Sequence, residues 1–263
     1  MAWIFACAQN IGDRSEQQDR VAIVHSDDDE SHLLVIADGM GGQGDGSAAA
    51  QTVIDIATRR FRRRVLEPTA FLQKVFLEAH DAILSLSESG ISAPGSTGVI
   101  LYLTDTEAHW THVGDSRLYQ FRDMGIVNKT SDHSVAQLIR EHGDGSNGDS
   151  DIEIPQDQLY MCLGGRNKVN PESHSSVVKP GDSFLLCSDG FWNQIDVEDT
   201  FRDARRTAMD QEKAETLVEL ARKQGKGRGD NISLAWANRE GGASHKEPGF
   251  LNRLIGLFGK HRI

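Results

Sequence analysis

The pattern that most constrains this chain is a set of short apolar runs, most of which meet an aspartate beside a glycine. Leu33-Leu34-Val35-Ile36-Ala37 ends on Asp38-Gly39, and His109 to Val113 stops at Gly114-Asp115. Phe184-Leu185-Leu186-Cys187 runs into Ser188-Asp189-Gly190, and Ile232 to Trp236 starts directly after Gly229-Asp230-Asn231. Thr97 to Leu103 is a further run. Apolar stretches of this length, bounded by Gly and Asp, read as buried strands. Helical spacing appears between them. Ala49, Val53, Ile56, Ala57 and Phe61 share one face of a segment that begins near Ser47, and Phe71, Val75, Phe76, Ala79 and Ile83 share a face of the next. Further helices are expected over 134–141 and 211–223, the second with Leu217, Leu220 and Ala221 turned inward. Two early helices in succession break strict βαβ alternation. The order therefore points to sheets with helices layered outside them rather than to a doubly wound parallel sheet.

Taken singly, an Asp-Gly pair between apolar runs is an ordinary turn. A carboxylate at the edge of a rigid sheet is different, because its position is fixed and an adjoining glycine lets backbone or ligand come close. Several such edges brought together would make an all-oxygen site, suited to hard octahedral cations such as Mg²⁺ and Mn²⁺. No His/Cys set has zinc-finger spacing. The formal net charge of −11 argues against nucleic acid as a partner, since duplex binding needs clustered Lys and Arg. At 263 residues, 38% of them apolar, the chain is long enough for a sizeable core. Cys7, Cys162 and Cys187 are odd in number and widely spaced, as expected of reduced thiols in a cytoplasmic protein. Neither a signal peptide nor a membrane-spanning stretch is expected from the sequence.

Seven short motifs carry more information than their parts. Arg14-Ser15-Glu16-Gln17-Gln18-Asp19, Asp38-Gly39-Met40-Gly41-Gly42, Gly95-Ser96-Thr97, Gly114-Asp115-Ser116-Arg117, Asp132-His133-Ser134, Ser188-Asp189-Gly190 and Gly229-Asp230-Asn231 follow one another over residues 5 to 237. In that order they resemble the motifs of protein phosphatase 2C, the PPM family of metal-dependent serine/threonine phosphatases, and Asp-Gly-Met-Gly-Gly resembles its bacterial branch. The resemblance implies an α+β fold, a four-layer αββα sandwich of two antiparallel sheets flanked by helices. It implies two cations, Mn²⁺ or Mg²⁺, with Asp38 bridging them and the Gly39 carbonyl on one. It also implies Asp189 and Asp230 in one ion's shell, Asp19 near the other largely through water, and Asp115 on a third, weaker ion. Arg14 matches the family's phosphate-binding arginine. A guanidinium suits that task because it holds two phosphate oxygens in one plane. The implied partners are phosphorylated protein substrates and a cognate serine/threonine kinase.

Two positions depart from the family pattern. Gln18 stands where many members carry Glu, which removes a charge from one water-mediated contact. Met40 stands where eukaryotic relatives place a histidine, so the proton for the leaving oxygen has no assigned donor. His133 is the tempting substitute, although a histidine beside an aspartate is more often structural. Residues 1–238 are expected to form the catalytic domain, with Gly143 to Pro155 as an acidic flap beside the cleft. Residues 239–249 read as a linker and 250–263 as an amphipathic tail whose apolar residues include Phe250, Leu254 and Phe258. Packing onto the domain, docking on a partner and attachment to a membrane surface are all open to that tail.

Overall fold

Residues 33–37 are buried throughout, so each face of this strand must be covered by something different. The computed structural model describes residues 2–42, 45–61, 65–86, 94–123, 125–142, 158–201 and 209–239. In it the run forms the middle of β3 (Ser31–Met40). Leu33, Val35 and Ala37 turn to one core, while Leu34 and Ile36 turn to another, as the two-residue period of a strand requires.

One antiparallel sheet has the order β2 (Asp19–His25), β3, β5 (Gly98–Thr104), β6 (Glu107–Val113) and β9 (Glu172–Val177), and the two-residue β4 (Gly95–Ser96) pairs with β3. The other has the order β1 (Trp3–Asn10), β11 (Ile232–Arg239), β10 (Ser183–Cys187), β7 (Arg117–Arg122) and β8 (Gly125–Lys129). Leu34, Ile36, Val99 and Leu101 of the first sheet pack against Leu118, Phe184, Leu186 and Ala235 of the second. Burial of each large side chain here stabilises the fold by roughly 1.5–3 kcal/mol.

Helices cover both outer faces. α1 (Asp45–Arg60) and α2 (Pro68–Leu84) lay Val53, Ala57, Val75 and Phe76 on Leu33, Val35, Ile100 and Tyr102. Pro68 opens α2, where its missing N–H has no helical partner to lose. α6 (Gln211–Gln224) is capped by Asp210, whose side chain accepts from the Lys213 N–H at 3.0 Å. Its Leu217 and Ala221 pack with Phe191 of α4 (Asp189–Trp192) and Phe201 of α5 (Val197–Phe201) onto Leu185, Leu234 and Trp236. α3 (Val135–His142) lies between β8 and β9 in the chain. Four layers result, helix, sheet, sheet and helix, the arrangement the resemblance implies.

Some local expectations need correction. Asp38 is not the last residue of its strand, because β3 runs on to Met40 and pairs there with β4. Asp189 follows β10 as expected, and it also opens the one-turn helix α4, which the sequence pattern does not show. Arg239, read as the first linker residue, closes β11; its N–H donates to the Asp182 carbonyl at 3.0 Å. The flap at 143–155, the linker from 240 and the tail at 250–263 lie outside the described residues. No helix among the described residues is long and apolar enough to cross a membrane.

Candidate active site

The two sheets share one edge where β3, β6 and β10 finish and β2 and β11 begin, and the aspartates collect there. Asp38 and Asp19 are cross-strand partners at the β2–β3 end. Asp189 follows β10, Asp230 precedes β11 and Asp115 follows β6 after Gly114. Gly114 has φ +96°, and a side chain there would meet Thr97 at 2.7 Å. This left-handed turn is what carries Asp115 away from its strand. Gly39 serves a different purpose. Its Cβ position lies 2.0 Å from the Gly46 carbonyl oxygen, so only glycine lets α1 start this close to β3.

A cleft of about 570 Å³ opens at this edge. Arg14, Gln18, Asp38, Gly39, Asp115, Asp189 and Asp230 line it, with Ser15, Glu16, Thr97, Leu159 and Asn231 among its other walls. Asp19 does not reach the wall. It is fully buried beneath, and its Oδ2 accepts from the Ser188 hydroxyl at 2.7 Å. Asp38 is held through its backbone: the Thr97 N–H donates to its carbonyl at 2.8 Å, and its own N–H donates to Thr97 Oγ1 at 3.1 Å.

The loop from β1 to β2 crosses between the sheets over this edge and carries Arg14. The Arg14 guanidinium donates to Asp230 Oδ2 at 2.5 Å, which raises its pKa further. Asn231 pins that loop. Its Oδ1 accepts from the Gln18 N–H at 2.7 Å, and its amide donates to the carbonyls of Ile11 at 2.8 Å and Glu16 at 2.9 Å. Asp13 adds a second tie, its Oδ2 accepting from the Gly229 N–H at 2.8 Å. Asp115 is held through its backbone too: the Trp192 indole N–H donates to its carbonyl at 3.0 Å. Arg117 lies over the Trp192 ring, 3.3 Å from its centroid, and grips Asp132 with two bonds of 2.8 and 2.6 Å.

Asp19, Asp115 and Asp189 are pushed up to about 7, 7 and 6, first by burial and then by neighbouring carboxylates. Asp38 is raised well above the usual carboxylate range for the same two reasons. So much negative charge in one buried place needs cations or protons.

The profile of the family described as Protein phosphatase 2C matches residues 8–223. The chain belongs to that family. A phosphatase of this family is a metal-dependent enzyme acting on phosphorylated serine and threonine of proteins, and that is the activity of this chain. Among its relatives is the serine/threonine phosphatase Stp of Listeria monocytogenes, 26% identical over 227 residues that cover 82% of this chain and 88% of Stp. The serine/threonine phosphatase PstP/Ppp of Mycobacterium tuberculosis superposes with a TM-score of 0.78 at 26% identity, over 91% of this chain and all of the other. The PstP catalytic domain in complex with two manganese ions superposes with a TM-score of 0.74 at 26% identity, over 90% of this chain and 97% of that one.

The 2C phosphatase cleft fits the cations its family uses. Its acidic donors are oxygens alone, and Asp19 Oδ1 and Asp189 Oδ1 are buried with no hydrogen-bond partner, which a bound cation would supply. His133 does not share the cleft. It is 3% exposed, with Nδ1 accepting from the Gly114 N–H at 3.1 Å and the ring stacked on His112. Sequence reasoning assigned no role to Asn231, Thr97, Ser188 or Trp192. Asn231, Thr97 and Ser188 lie inside the quoted motifs, but nothing in a linear pattern shows which backbone groups they hold.

Proposed function

We propose that Asp38, Gly39, Asp115, Asp189 and Asp230, with Asp19 behind them, hold the divalent cations of this phosphatase. Asp38 would be shared by two Mn²⁺ or Mg²⁺ ions, and Asp115 would hold a third, weaker one. The observation that carries this reading is the pair of orphaned buried carboxylate oxygens on Asp19 and Asp189, among acidic groups that already crowd one another with like charge. When bound, the cations make hydroxide available near neutral pH for in-line attack on phosphorus and neutralise charge on the phosphoryl oxygens.

The chain's own groups do the rest. Arg14 swings from Asp230 to the incoming phosphate and holds two of its oxygens in one plane, which fixes the phosphorus relative to Asp38. Asn231 keeps the Arg14 loop in register, which lowers the ordering cost of bringing the guanidinium to the phosphate. Thr97 fixes the Asp38 backbone, and Ser188 orients Asp19 from below. The open mouth beside Ser15, Glu16 and Leu159 accepts an extended phosphopeptide. A serine/threonine kinase would supply such substrates. A cytoplasmic setting belongs to the same reading, and the three cysteines are free.

Isothermal titration of the chelated protein with Mn²⁺ tests this assignment. The wild type should bind two ions tightly, and Asp38→Asn and Asp189→Asn should lose at least one of them. Unchanged stoichiometry and affinity in both variants would remove these residues from the metal shell.

A further inference from the structure

A second group of metal-ligating side chains lies at the other end of the β2–β3 ladder. His25 and His32 are cross-strand partners there, six residues along from the Asp19–Asp38 pair. At ~3.3 Å per residue the two ends are about 20 Å apart, so this group is not part of the cleft. His25 Nδ1 and His32 Nδ1 are 2.8 Å apart, and Asp29 Oδ1 is 3.9 Å from each. A point equidistant from those three atoms lies about 2.1 Å from every one of them, the usual length of a zinc–imidazole or zinc–carboxylate bond.

We propose that His25, His32 and Asp29 form a surface site for a borderline transition-metal cation of the Zn²⁺ class, separate from the catalytic ions. Two ring nitrogens this close need a proton or a cation between them. With each ring in its Nε2–H tautomer, both Nδ1 atoms keep a lone pair for a shared cation. Two imidazoles and one carboxylate select Zn²⁺, Ni²⁺ or Cu²⁺ over Mg²⁺, which prefers oxygen alone. The site is partly built in advance. His32 is only 7% exposed on its side chain, and the Phe5 ring packs against His32 and His25 at centroid distances of 4.7 and 5.0 Å. Asp29 sits in the hairpin turn at φ +57°, which aspartate tolerates better than most residues. His25 and Asp29 open to solvent, where water completes the shell. Asp27, Asp28 and Glu30 of the same turn add negative charge that favours cation entry.

The comparable set of His112, His133 and Glu172 lacks this capacity. His133 Nδ1 accepts a backbone N–H from Gly114, so its proton sits on Nε2 and points to Glu172 at 3.4 Å. Neither nitrogen is left with a lone pair for a metal.

The test uses the full chain in excess Mg²⁺, with Zn²⁺ as the probe, and measures bound zinc by equilibrium dialysis for the wild type, His25→Gln and Asp29→Asn. Asparagine suits the left-handed turn, and His25 is exposed, so both variants should keep the fold. The wild type should hold one more zinc ion per chain than His25→Gln, and Asp29→Asn should bind that ion about tenfold or more weakly. Zinc should also move the imidazole NMR signals of His25 and His32 in the wild type. Equal zinc binding by all three proteins, or zinc shifts confined to other histidines, would overturn the proposal.

Discussion

Replacing Asn231 with alanine should destabilise the protein by about 3 kcal/mol and loosen the segment that carries Arg14. The magnitude follows from what the side chain holds. Asn231 is 4% exposed and makes three bonds of 2.7, 2.8 and 2.9 Å, to the Gln18 N–H and to the Ile11 and Glu16 carbonyls. Truncation leaves the Gln18 N–H and the Glu16 carbonyl without partners, at roughly 1–3 kcal/mol for each such group when it is buried, and leaves the Ile11 carbonyl only its long 3.4 Å bond from the Arg14 N–H. Ile11 is exposed and Glu16 half-buried, so water can reach part of the loop and the low end of that range applies. For a domain of this size about 3 kcal/mol corresponds to a fall in Tm of roughly 6–12 °C. Urea unfolding of the chelated protein would read the loss directly, with an unchanged m-value showing that the unfolded state is unaffected. With a phosphothreonine peptide, KM should rise more than kcat falls, because the phosphate grip is loosened while the metal ligands stay. Asn231→Asp is a sharper control. It keeps an acceptor for Gln18 N–H but turns a carboxylate toward two carbonyl oxygens, so it should be no more stable than the alanine variant. A loss under about 0.5 kcal/mol in Asn231→Ala would refute the reasoning, since such a value is typical of surface substitutions.

Other expectations follow from the same geometry. Arg14→Lys keeps the charge but not the planar fork, and kcat/KM should drop about 10–100-fold while Mn²⁺ affinity measured by titration stays near that of the wild type. Gly39→Ala places a methyl group 2.0 Å from the Gly46 carbonyl oxygen and 2.9 Å from that of Gln18, so β3 and α1 must separate. Thermal unfolding should show a loss of about 3 kcal/mol or more, with weakened Mn²⁺ binding. Asp19, Asp115 and Asp189 keep their protons to a higher pH in the folded, metal-free protein than in the unfolded chain, with pKa values of about 7, 7 and 6. Both states hold these protons below about pH 4, and between pH 4 and 7 the unfolded chain releases them first. Stability from these groups is therefore lost as pH rises through that window. Calorimetry of chelated protein should show this fall, a smaller one in Asp19→Asn, and a larger Mn²⁺-induced rise in Tm at pH 7.5 than at 5.5.

The layered fold was legible where burial leaves a simple mark. A run such as residues 33–37, apolar on both faces, signals a strand covered on two sides, and Ala49 to Phe61 shows its inward face by spacing alone. Edge strands leave no such mark. Glu172–Val177 is polar in five of its six residues and half exposed, and Asp19–His25 mixes charged with apolar residues, so only pairing with β6 and β3 defines them. The aspartates could be picked out because they flank apolar runs. Their convergence needed topology, since Asp38 and Asp115 come from one sheet and Asp189 and Asp230 from the other. Depth was not legible either. Asp19 and Asp38 are opposite residues on neighbouring strands, yet one is sealed below the cleft and the other lines it. The supporting contacts of Asn231 and Trp192 span more than 70 residues of chain, a separation no local pattern encodes.

Phosphate release from a phosphothreonine peptide tests the central claim most directly. It should be followed for wild type, Asp38→Asn and Asp189→Asn, with added Mn²⁺ and after chelation. The account predicts release by the Mn²⁺-loaded wild type alone, with both variants and the chelated enzyme near background. Release that persists through chelation, or that either asparagine variant sustains at the wild-type rate, would contradict it.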